Sequence, residues 1–96
     1  MDRETIAAYA MRALMGQKST APADEGTVFN YSLISSNAFA LADLLINIFG
    51  TAGDPDLYAV LAMEAMVMKV VNDGTDYDYS NIIQAALDMS AAMNPV

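Results

Sequence analysis

The chain has no cysteine, no histidine and no tryptophan, and its only basic side chains are Arg3, Arg12, Lys18 and Lys69. Without cysteine, neither a disulfide nor a thiolate metal site can form. Without histidine, the commonest general base near neutral pH and the commonest transition-metal ligand are both missing. Ser-His-Asp and Cys-His constellations are therefore excluded. Twelve acids stand against the four bases, for a net charge of −8. A nucleic-acid surface needs several cations to neutralise phosphates, and anionic lipid headgroups make the same demand. Direct contact with nucleic acid or with a membrane surface is not expected.

What the chain does have is apolar residues: 55% of the sequence, with 17% charged, against about 25% charged in ordinary soluble domains. Its 96 residues make one domain, spanning 1–96. A chain of this size buries roughly 60–65% of the surface its unfolded form exposes. That leaves more apolar surface than a small globule hides, and self-association or docking on a partner would cover the surplus.

Periodicity predicts an all-α fold, a small antiparallel bundle of about four helices with a longer irregular loop at about residues 17–31. The first helix is expected over 2–15, with Asp2 and Glu4 at its positive end and Gly16 as its stop. The second spans 32–49, capped by Asn30 or Ser32 and ended by Gly50. Its segment AFALADLLINIF (38–49) is apolar nearly all round, which predicts a central, buried helix. Asp43 and Asn47 interrupt that run, so no membrane span is expected. The third helix is expected over 55–72, with Asp54 as cap and Pro55 at the first helical position. Leu57, Val60, Leu61 and Val67 should turn inward, while Tyr58, Ala62, Ala65 and Lys69 form a stripe that lets another helix approach. The last helix spans 81–93 behind Asp78 or Ser80, with Ile82, Ile83, Ala86, Met89 and Met93 inward. In such a bundle the loops at 16–31 and 72–79 meet at one end and concentrate acids there.

Chemical motifs are weak. DGTDYDYS has the aspartates of a calcium loop but neither the EF-hand register nor a downstream glutamate. GTAGDPD lacks the Lys and Ser/Thr of a phosphate loop. Asp43 and Glu64 are the acids within the most apolar helices, and partners for basic side chains are the commoner role for such groups than acid–base catalysis. No catalytic residue, cofactor or metal is expected, and the chain is not expected to be an enzyme.

The candidates that remain are for protein contact. Asp24, Glu25, Asp73, Asp76 and Asp78 gather acid in the loops, and Tyr77 and Tyr79 add aromatic anchors of the kind enriched at interfaces. Met63 and Met66 belong to a methionine cluster that either fills a core or re-packs against partners. The function expected is a non-enzymatic, self-associating structural, assembly or adaptor subunit, a homodimer or larger. The alternative is an acidic inhibitor of phage or mobile-element type, an anti-defence or anti-CRISPR-like protein that blocks a basic nucleic-acid-binding surface. The N-terminus lacks a signal-peptide pattern, so the expected location is the cytoplasm, of a cell or of an infected host.

Overall fold

Three of the described helices begin where an aspartate side chain accepts from a free backbone N–H. A computed structural model of the chain describes residues 1–16, 31–50, 53–73 and 78–94. Within them lie four helices and no strand: α1 (Arg3–Met15), α2 (Tyr31–Phe49), α3 (Leu57–Asp73) and α4 (Tyr79–Met93). Asp2 caps α1 by accepting from the Thr5 N–H at 2.7 Å, and Asp78 caps α4 by accepting from the Ser80 N–H at 2.8 Å. Gly50 ends α2 at φ +53°, a conformation that glycine adopts without Cβ strain. Of the loop expected at about 17–31, residues 17–30 lie outside the described residues, and Tyr31 already opens α2.

The cap of α3 corrects the sequence expectation. Asp56, not Asp54, caps it: Oδ1 accepts from the Ala59 N–H at 2.9 Å, and the Asp56 carbonyl accepts from the Val60 N–H at 3.2 Å. Pro55 stands before the helix and is buried beneath the bundle. Locally, both aspartates satisfy the capping preference. The decision comes from α4, whose Ser90 and Asn94 also bind Asp56.

Named contacts orient the helices. Arg3 pairs with Asp43 late in α2, while Met15 shares a groove wall with Tyr31 and Ile34 at its start. These two helices therefore run antiparallel. The Met1 amino group donates to the Pro55 carbonyl at 3.4 Å and Arg12 pairs with Glu64, so α1 and α3 run parallel. Asp56 meets Ser90 and Asn94 at the far end of α4, which makes α3 and α4 antiparallel. Direction alternates along the chain, but neighbours around the bundle run α1–α2–α4–α3. The consecutive helices α2 and α3 lie across a diagonal. The C-terminus of α1, the N-terminus of α2, the C-terminus of α3 and the N-terminus of α4 share one end, as expected for the loops that join them.

The core corrects the expected rank of α2. It buries Ala38, Leu41, Ala42 and Leu45, a corner helix's share; α1 buries Ile6, Ala7, Ala10, Ala13 and Leu14. Among the described residues, seven of the sixteen buried apolar ones are alanine (Ala7, Ala10, Ala13, Ala38, Ala42, Ala59 and Ala86). Such small side chains bring helix axes together and leave no room for bulkier neighbours. Leu44, Ile46, Ile48 and Phe49 consequently pack only at the core's edge. By length and composition alone, α2 is long and apolar enough to cross a membrane, with a mean hydropathy of 1.5. In the bundle, its one charge, Asp43, is paired with Arg3.

Candidate interaction surfaces

The expected contact residues separate into three groups. Asp24, Glu25, Asp76 and Tyr77 lie outside the described residues. Asp73 is the last residue of α3; Asp78 is the exposed cap of α4, and Tyr79 is partly buried against the core. The methionines divide. Met63 is fully buried in the α3 face that forms the core, where it fills space between helices, the first of the two readings given to the methionine cluster. Met66, one helical step round, lines an outward groove.

That groove, of about 450 Å³, runs between α3 and α4. Tyr58, Leu61, Ala62, Ala65 and Met66 form one wall and Ala85, Met89 and Met93 the other, with no charged side chain among them. Tyr58, Leu61, Met89 and Met93 are 41–50% exposed. Spacing predicts Met89 and Met93 inward on α4, and the structure turns them out; on α3, Leu57 and Leu61 are likewise exposed although Val60 and Val67 of the same expected side are buried. The spacing of both methionines fits a core stripe, but Ile82, Ile83 and Ala86 already occupy the inward face of α4. Met89 and Met93 are four residues apart, and Ala62 and Ala65 form a facing stripe; these were the signals available for a second apolar face.

A second apolar groove, of about 290 Å³, separates α1 from α2 on the opposite side of the bundle, and Met11, Met15, Tyr31, Ile34 and Phe39 contribute to it, with Glu4 at its edge. Near it the charges are closed off. Arg3 donates to both Asp43 oxygens, at 2.7 and 3.2 Å, and lies 4.5 Å from the Phe39 ring centroid. That hydrogen bond holds the Asp43 carboxyl below its ordinary pKa. Arg12 grips Glu64 the same way, at 2.7 and 3.0 Å, with its guanidinium 4.9 Å from the Tyr9 ring centroid. Both acids within the apolar helices are thus partners of arginines that tie α1 to its two neighbours.

The densest polar cluster is structural in placement. Asp56 accepts from Ser90 Oγ at 3.0 and 2.9 Å and from Asn94 Nδ2 at 2.7 Å. Burial pushes the Asp56 carboxyl up, but hydrogen bonds from the Ala59 N–H, Ser90 and Asn94 outweigh it and hold the pKa below the ordinary range. Among the described residues, no three acidic side chains converge to hold a metal ion. No known protein family, curated protein or solved structure matches the chain.

Proposed function

We propose that this protein is a non-enzymatic subunit that works through protein–protein contacts, chiefly with further copies of itself, as a structural, assembly or adaptor element of the cytoplasm. The observation that supports this reading is the α3–α4 groove, whose lining is wholly apolar and whose largest side chains are about half exposed. Contiguous apolar surface of this kind on a small domain marks an interaction site. The described arginines are held in ion pairs within the chain, so burial of apolar surface, not cationic attraction, supplies the driving force for association.

Sedimentation velocity at micromolar concentration tests the reading. A dimer or larger species is expected, and substitution of Leu61 or Met89 by aspartate is expected to dissociate it while helical content is retained. A concentration-independent monomer would overturn self-association. If that monomer bound a basic protein in a salt-sensitive manner, an acidic inhibitor would replace the present reading.

A further inference from the structure

We infer that the α1–α2 groove, on the side of the bundle away from α3–α4, is a second self-association face of this chain, so that copies add beyond a dimer. This rests on the self-association proposed above and adds to it a second site and a stoichiometry.

The two faces share one chemistry. Methionine, tyrosine and alanine line both: Met11 and Tyr31 with Ala8 and Ala38 between α1 and α2, Tyr58 and Met89 with Ala62 and Ala85 between α3 and α4. Exposure is alike as well. Met11 and Tyr31 are 43% and 67% exposed, Tyr58 and Met89 41% and 50%. Among the described residues, Glu4 at the edge of the α1–α2 groove is the one charged side chain in either lining. With the partly buried Met15, Ile34 and Phe39, the α1–α2 face offers on the order of 400 Å² of apolar side chain, and the α3–α4 face about as much. A standard interface buries roughly 800 Å² per partner, somewhat more than half of it apolar. Each face is therefore sized for a contact of its own.

Placement keeps one contact from covering both. Around the bundle the helices run α1–α2–α4–α3, so a copy seated on α3–α4 leaves α1–α2 turned to water. The surplus of apolar surface that drives the first contact then persists on the other side. Charge narrows what can cover it. A basic partner needs unpaired acids in the patch, but Asp43 is held by Arg3 and Glu64 by Arg12. What fits is an uncharged apolar surface, and another copy of this chain presents one on either face. A subunit with contacts on opposite sides links two neighbours. Repetition builds a ring where the rotation closes and a filament where it does not.

Aspartate substitutions of equal charge in the full chain test this, by sedimentation velocity over a concentration series, with circular dichroism to confirm folding. The weight-average mass of the wild type is expected to climb past that of a dimer. Leu61→Asp blocks α3–α4 and Met11→Asp blocks α1–α2. Each is expected to hold the chain at a dimer or below, and the double variant at a monomer. Ala40→Asp, exposed on α2 and in neither groove, adds the same charge and is expected to assemble like the wild type. Where Met11→Asp loses helix, Ala8→Glu, exposed on the same face, takes its place. A wild type that stops at the dimer, or an α1–α2 variant that assembles no less than Ala40→Asp, overturns the second face and leaves self-association standing. A wild-type monomer overturns both.

Discussion

Ser90 donates to Asp56 across the α3–α4 junction, its hydroxyl lying 3.0 and 2.9 Å from the two carboxylate oxygens. One side chain thereby caps the start of α3 and anchors the last turn of α4, with Asn94 as a further donor at 2.7 Å. Asp56→Ala removes the cap and leaves the buried Ser90 hydroxyl without its acceptor. It is expected to cost about 2 kcal/mol, the sum of a lost helix cap and a lost buried hydrogen bond. Asp56→Asn keeps one acceptor oxygen and should fall between alanine and wild type. Urea unfolding midpoints check the order.

The same carboxylate gives stability a pH dependence. Asp56, Asp43 and Asp2 are all held below their ordinary pKa: Asp56 by the bonds that outweigh its burial, Asp43 by Arg3, and Asp2 by Thr5. A carboxyl with a folded pKa below its unfolded value binds protons more readily unfolded. Its contribution is complete above the unfolded pKa, about 4, and is lost as pH falls through the folded value. Thermal midpoints should stay level from neutral pH down to about 5 and decline below about 4. Asp56→Asn should make that decline shallower. An unchanged profile in this variant would remove Asp56 from the acid-sensitive set.

Two glycines predict opposite outcomes. Gly50, at φ +53°, has nothing within 4 Å of a Cβ placed on it, so substitution by alanine meets only backbone strain, expected to cost about 1 kcal/mol. Gly16 has φ −78°, which alanine adopts freely. A Cβ there would lie 3.1 Å from Met68 Cε, the movable end of a flexible side chain. Gly16→Ala is expected to change stability by less than about 0.5 kcal/mol. Chemical denaturation of the two variants in parallel distinguishes strain from crowding.

The number of helices and most of their ends were legible in the sequence because caps are local: Asp2, Gly50 and Asp78 act within a few residues of themselves. The cap of α3 was not, since Asp54 and Asp56 compete on equal local terms and the decision lies with Ser90 and Asn94, more than thirty residues away. Periodicity says which side of a helix is apolar, not which apolar side chains fit between helices. With alanine lining so much of the core, Leu61, Met89 and Met93 were displaced outward, and that displacement made the groove. Nor does hydropathy encode adjacency: α2 and α3 follow one another in the chain yet sit on a diagonal, each packed against α1 and α4 instead.

Methionine separates core from surface in a single experiment. Met63 is fully buried, while Met11, Met89 and Met93 are 43–50% exposed. Peroxide reaches a thioether in proportion to its exposure and converts it to the polar sulfoxide. Peptide mass spectrometry during brief oxidation, at a concentration low enough to keep the chain monomeric, should therefore show Met11, Met89 and Met93 modified while Met63 stays intact. Truncation gives the complementary measure. Met63→Ala opens a cavity among Val60, Val67 and their neighbours and is expected to cost about 3 kcal/mol, whereas Met89→Ala should alter the stability of the monomer by less than about 1 kcal/mol. Because association stabilises the folded chain by mass action, the Met89→Ala comparison is made at concentrations low enough to keep both proteins monomeric. Early oxidation of Met63 together with a small cost for its truncation would mean that this methionine does not pack at the centre of the bundle.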